Sequence, residues 1–266
     1  MSRDHQEVDL GLLAGVTDRG LRHQRNEDAM ELAVAQSPAG PVVIAVVCDG
    51  VSTSTRPDEA SLAAARAAAA VLRAAAASGA DLVGASTRAV QSAGEAVAQL
   101  AEPGASVPSA TFVSAVLTGA AVTLCWLGDS RAYWLAAAKD SAAEQLTTDD
   151  SLAQEMVSAG LLRESEALTS PHAHVVTRWV GADPAEAPPH VAAFAPPGNG
   201  VLLLCSDGLW NYQPEAADLA RLAMPRALTD PLGAAKELAQ FAIESGGRDN
   251  ITVVLAPFPP GQDAPG

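Results

Sequence analysis

Three cysteines in 266 residues, none in C-x-x-C spacing with another, leave no framework for disulfides or a zinc ribbon. Cys48, Cys125 and Cys205 lie inside apolar runs instead and read as reduced core residues. Long hydrophobic runs are missing too: the longest, around residues 42–47, falls far short of the roughly 18 to 20 residues of a membrane span. The first nine residues are polar, include Asp and Glu, and hold no apolar stretch of the kind a secretory signal needs, so a cytoplasmic protein is expected. No Pro/Gly/Ser-rich linker divides the chain, which argues for one domain. Positive charge is scarce as well. Sixteen Lys and Arg against 31 Asp and Glu give a net charge of -15, which disfavours nucleic acid or an anionic membrane as a bulk partner. An acidic solubilising surface accounts for most of that excess, and a protein that gathers carboxylates around metal carries the same signature.

The stretch most densely built is V-V-I-A-V-V-C-D-G-V at 42–51. All of its first seven residues except Ala45 are β-branched or Cys, the pattern of a strand buried on both faces. It stops at Asp49-Gly50, where a carboxylate delivered by a buried strand is followed by a residue that lets backbone approach a ligand. An Asp-Gly turn is the plainer reading of such a pair. The construction recurs, however, where 201–205 run into Ser206-Asp207-Gly208. Asp28, Asp129 and Asp249 also stand at the ends of apolar runs. Five carboxylates at strand ends point to an oxygen-rich pocket, because isolated buried anions are costly and divalent cations offset them.

The rest of the chain supplies an element order. Strands are expected at 10–16, 29–35 and 42–51, and an Ala-rich helix at 59–77 with Asp58 as N-cap. A second helix at 86–101 follows the Ser78-Gly79 break. From Ala110 the period changes to three strands in a β-meander, turning at 119–120 and 128–130. Helices at 151–159, 210–224 and 231–245 and a last strand at 251–256 complete the order, with a disordered Pro-rich tail at 257–266. His172-x-His174 has metal-ligand spacing but no third ligand nearby, so an exposed loop is expected there.

The segments T-D-R-G (17–20), R-N-E-D (25–28), V-C-D-G (47–50), L-G-D-S-R-A-Y (127–133), L-C-S-D-G-L-W (204–210) and G-G-R-D-N-I-T-V (246–253) resemble the metal-dependent protein serine/threonine phosphatases of the PP2C (PPM) family, in that family's order and spacing. The resemblance covers about 10–256, leaving 1–9 as an N-terminal extension. It implies an α+β fold of two packed antiparallel sheets flanked by antiparallel helix pairs. It further implies Asp49 as a ligand shared by two Mn²⁺ or Mg²⁺ ions, with the Gly50 carbonyl on one and Asp207 and Asp249 completing the other. Glu27 and Asp28 would act through bound water, and Asp129 would help hold a third ion. Ions of this kind lower the pKa of a shared water for in-line attack on phosphorus, so Asp49, Asp207 and Asp249 carry the catalysis. The expected partners are phosphoproteins made by a serine/threonine kinase, and the expected state is a monomer. Residues 147–180, with L-T-x-D-x-S-L at 146–152 and Gly160-Leu161, match the family's flap beside the active site.

The chain departs from the pattern in three places. His23 stands where the family usually has a phosphate-binding Arg, with Arg22 and Arg25 close by, so phosphate falls to His23, to Arg22 or to Arg25. Val51-Ser52-Thr53 replaces a Met or His and a Gly pair, and Pro108-Ser109-Ala110-Thr111 replaces Gly-Thr-Thr. A weakly active phosphoprotein-binding module and a phosphatase of small phosphoesters are the competing readings. Retention of every metal carboxylate speaks for catalysis.

Overall fold

A computed structural model describes residues 4–138, 142–181 and 188–261. In chain order its elements are β1 (His5–Asp9), β2 (Ala14–Asp18), β3 (Asp28–Ser37), β4 (Gly40–Asp49), α1 (Pro57–Ser78), α2 (Leu82–Ala98), β5 (Ser109–Ala110), β6 (Phe112–Leu117), β7 (Val122–Leu127), β8 (Arg131–Ala136) and β9 (Glu144–Gln145). There follow α3 (Leu152–Ser158), α4 (Glu164–Ala167), β10 (Val180–Gly181), β11 (His190–Phe194), β12 (Gly200–Cys205), α5 (Asp207–Trp210), α6 (Ala216–Ala227), α7 (Pro231–Glu244) and β13 (Ile251–Phe258).

Two antiparallel sheets pack face to face, one ordered β1-β2-β13-β12-β8-β9 and the other β11-β7-β6-β4-β3, beside a two-stranded β10-β5 pair. Period-2 alternation decides which core each strand feeds. Val43, Ala45 and Val47 of β4 point between the sheets, while Ile44, Val46 and Cys48 point to α1 and α2. On the other sheet Leu202 and Leu204 face inward, and Val201, Leu203 and Cys205 face α6 and α7. Both strands are therefore apolar on both faces, each buried Val or Leu contributing about 1.5–3 kcal/mol. The result is the expected α+β sandwich with helix pairs outside. All three cysteines are free and buried.

Several elements differ from expectation. The strand placed at 10–16 begins only at Ala14, and His5–Asp9 of the supposed extension pair with it as an edge strand. The helix at 59–77 starts earlier, at Pro57, and its N-cap is Arg56 in the left-handed region (φ 53), not Asp58. Proline needs no partner for a first-turn N–H, and Asp58 sits one residue on, where its charge favours the helix N-terminus. The second helix spans 82–98 instead of 86–101, because the Asp81 carboxylate accepts from Val83 N and Gly84 N and starts it sooner. By length and composition α1 passes for a membrane-crossing helix, contrary to the expectation from unbroken apolar runs, yet half of that stretch is buried inside the fold.

The meander is broken. β6 and β7 pair, but β11 takes the other edge of β7, and β8 crosses to the second sheet to pair with β12. The helix expected at 210–224 is interrupted between Trp210 and Ala216, where Pro214 cannot continue one. Pro257 and Phe258 of the expected tail close β13, and 262–266 lie outside the described residues.

Candidate active site

The acids named from the sequence come together at one end of the two sheets. Asp28 opens β3 and Asp49 ends β4, directly opposite each other in the ladder. Asp207 opens α5 just past β12, Asp129 lies in the crossover from β7 to β8, and Asp249 precedes β13. Their fields overlap: burial pushes the Asp49 carboxyl well above the usual range, and Asp28, Asp207, Asp249 and Asp129 push it further. Asp207 is raised likewise, by burial, then by Asp249, Asp129 and Asp28. Burial also lifts Asp28 to about 6, against the pull of two hydroxyl donors. Asp129 rises to about 7 through burial and then Asp149, with Arg131 opposing. Acids this close together, two of them buried and three half-buried, are costly as anions without cations beside them.

Two carboxylate oxygens of the group are left without a hydrogen-bond partner. Asp28 Oδ2 accepts from Ser206 Oγ and Thr252 Oγ1, both at 2.7 Å, while its buried Oδ1 has no partner. Asp207 Oδ2 accepts from Asn211 Nδ2 at 3.0 Å, and its buried Oδ1 is also unpartnered. An oxygen-only donor set suits hard divalent cations. Among the described residues no three His, Cys, Asp or Glu side chains close around a single point.

Backbone packing fixes the loops that carry these groups. Asn250 Oδ1 accepts from Glu27 N at 2.7 Å, and Asn250 Nδ2 donates to the carbonyls of Arg19 and Arg25, tying the metal-loop candidate to the first motif. Gly50 N donates to Glu27 O, and a Cβ on Gly50 would lie 2.3 Å from Pro57 O, so only glycine lets the strand end and α1 meet here. Thr111 takes the Asp49 carbonyl with its N–H at 2.7 Å and receives Asp49 N on its hydroxyl.

Cations collect on the Glu27 side. Glu27 accepts from Ser52 Oγ at 2.6 Å and Arg25 Nε at 3.2 Å. Arg25 also reaches Asp58 at 3.4 Å. His23 Nε2 lies 3.1 Å from Asp249 Oδ1, so the ring faces the acids. Arg22 is exposed, and its guanidinium has no partner among the described residues. Arg22, His23, Gln24, Arg25 and Glu27 line a hollow of about 470 Å³.

A second tier supports Asp129. Trp210 Nε1 donates to the Asp129 carbonyl at 2.9 Å, and the Arg131 guanidinium lies 3.8 Å above the Trp210 ring. Arg131 donates to both Asp149 oxygens, at 2.9 and 2.7 Å, which keeps it protonated although burial opposes this. Sequence reasoning missed Ser206, Thr252, Thr17 and Trp210 as parts of the site. All four stand inside the segments that carry the family resemblance, which was the available signal; in the structure Thr17 pairs with Thr252 and their hydroxyls lie 2.8 Å apart. Among the described residues His172 and His174 belong to no group of three metal-ligating side chains; His174 stacks on Trp210 with ring centroids 5.9 Å apart. Burial and the adjacent Asp28 and Asp49 push the Cys48 thiol well above its usual range.

Residues 19–241 match the model of the family Protein phosphatase 2C, and the chain belongs to that family. It is similar to the serine/threonine phosphatase Stp of Listeria innocua, 35% identical over 147 residues that cover 54% of this chain and 55% of that protein. It is 29% identical to the serine/threonine protein phosphatase PstP of Mycobacterium tuberculosis over 91% of this chain and 44% of that one. The match thus spans about half the length of these curated relatives. The crystal structure of the M. tuberculosis phosphatase superposes with a TM-score of 0.75 at 27% identity, over 92% of this chain and 97% of that one. The PstP catalytic domain in complex with two manganese ions gives 0.74 at 27% identity, over 92% and 96%.

Proposed function

We propose that this chain hydrolyses phosphoserine and phosphothreonine on proteins, using divalent cations held by its strand-end acids. The observation that carries the reading is the set of mutually repelling carboxylates, Asp28 and Asp129 buried and Asp49, Asp207 and Asp249 partly so, with two orphaned oxygens, on Asp28 and Asp207. Asp49, Asp207, Asp249 and the Gly50 carbonyl would hold two Mn²⁺ or Mg²⁺ ions. Glu27 and Asp28 would act through intervening water, and Asp129 beside a third ion. The PstP complex with two manganese ions supports the same count.

When bound, the ions supply positive charge to phosphoryl oxygens and lower the pKa of a shared water. The protein's own groups do the rest. Ser206 and Thr252 hold one Asp28 oxygen, leaving the other for a cation or its water. Ser52 and Arg25 fix Glu27. Arg22 is free to meet a phosphate, and Asp249 orients His23 toward the same space. A charged, planar Arg offers two donors to phosphate, whereas His offers one.

Phosphate release from a phosphothreonine peptide, with and without Mn²⁺ after chelation, tests the reading. Release that depends on Mn²⁺ is expected; undiminished release after exhaustive chelation would defeat it. The cytoplasmic location, the monomeric state and a kinase that supplies the substrate belong to the same proposal.

A further inference from the structure

Beside the acid group lies a second, smaller hollow of about 250 Å³, lined by His174, Gly208, Asn211, Tyr212, Arg248 and Asp249. Three separate segments build it: the 147–180 flap, the turn after α5, and the loop before β13. Its walls are held in place. The His174 ring stacks on buried Trp210, with planes 22° apart. The Tyr212 hydroxyl accepts from Arg248 N at 2.9 Å, and the turn beneath is made by Gly246 (φ 144) and Gly247 (φ 51). A β-carbon at Gly246 would lie 2.9 Å from the Tyr212 hydroxyl, so any side chain there would displace it. Yet the Arg248 side chain is exposed and has no acid partner among the described residues, in a chain with nearly twice as many acids as bases. An arginine with no acid partner among the described residues offers its donor fork to an anion, and here it does so from a held wall.

We infer that this hollow is a specificity subsite that takes an anionic side chain of the substrate, a carboxylate or a second phosphate, flanking the residue being dephosphorylated. The inference rests on the proposed phosphatase reading, since Asp249 and Gly208 border both the hollow and the acid group. A flanking residue up to about three positions away lies within about 10 Å of extended chain, and the hollow shares Asp249 with the acid group. Arg248 supplies the fork of donors, with His174 and Asn211 also lining the hollow. The subsite depends on this chain's own residue between Gly247 and Asp249, and on a flap residue fixed by Trp210.

The test uses labelled phosphothreonine peptides with alanine, glutamate, lysine or a second phosphothreonine at flanking positions. Binding is read by fluorescence anisotropy, and phosphate release in parallel, for the wild type, Arg248→Gln and Arg248→Glu. The wild type should prefer acidic over alanine flanks by roughly 5- to 30-fold, a preference that shrinks with salt. Arg248→Gln should bring the ratio close to one, and Arg248→Glu should shift it toward lysine flanks. The glutamate and doubly phosphorylated peptides tell a carboxylate from a phosphate receptor. Equal binding of all wild-type peptides, or a preference that survives Arg248→Glu, would overturn the subsite. Absence of phosphate release from every peptide would overturn the phosphatase reading alone, because the binding ratios still judge the subsite. Because the readout is a ratio between peptides on one protein, a partly unfolded variant does not mimic the loss of preference.

Discussion

A carboxylate that is buried among others is defined by what replaces water around it. At Asp207 and Asp249 the proposed replacement is a cation, so Asp207→Asn and Asp249→Asn should each reduce peptide dephosphorylation below detection by weakening metal binding. Glu27, held by Ser52 and Arg25 and proposed to act through water, is a support. Glu27→Gln should cost about 10- to 100-fold. Steady-state rates across a Mn²⁺ series check both, and near-normal activity of Asp249→Asn at low Mn²⁺ would remove that residue from the ligand set. Arg22 and His23 differ in a measurable way as well. Arg22 has no partner among the described residues and His23 is engaged by Asp249, so Arg22→Ala should raise KM for a small phosphoester, lowering kcat/KM roughly 10- to 150-fold, the worth of a charge-assisted hydrogen bond. His23→Ala should have the smaller effect on KM. The reverse order would make His23 the phosphate ligand.

Elements are positioned by a few polar ties at their ends. The start of the 147–180 segment is fastened by the buried Arg131–Asp149 pair, with side chains 4% and 10% exposed. Removing one partner strands the other charge, so Asp149→Ala should destabilise the protein by about 3–5 kcal/mol. Thermal or denaturant unfolding measures this, and a loss under about 1 kcal/mol would mean that water reaches Arg131 freely. At the opposite edge β1 is tied through His5, whose ring lies 2.7 Å from Asp18 Oδ2 and 3.1 Å from Glu7 Oε1. These hydrogen bonds, Asp18 first, raise the His5 pKa above its usual 6.5, against the effect of burial. A raised histidine stabilises fully below its unfolded pKa and stops doing so as pH climbs through the folded one. The advantage of wild type over His5→Gln should therefore be greatest near pH 5–6 and fade by about pH 8.5, remaining under about 1 kcal/mol because the pair is exposed. An NMR titration of His5 giving a pKa at or below 6.5 would contradict the tie.

At the scale of the whole molecule, legibility followed burial. β4, β12 and β13 are apolar on both faces, so their runs announced both the strands and the acids at their ends. β1 is an exposed, charged edge strand, and β5, β9 and β10 are two residues long, too short for any period to show. The broken meander marks a limit of another kind. Alternation at 131–136 reveals a strand but not its partner, and β11 had already taken the edge of β7 that β8 would have used. In the site, acids were visible by position, whereas Ser206, Thr252 and Trp210 matter through contacts made across long sequence separations. Calorimetric titration of Mn²⁺ into chelator-stripped protein reads the acid group most directly. Two ions should bind to the wild type and binding should fail in Asp49→Asn; a wild-type titration with no heat of binding, or one unchanged by Asp49→Asn, would contradict a metal centre built on the strand ends.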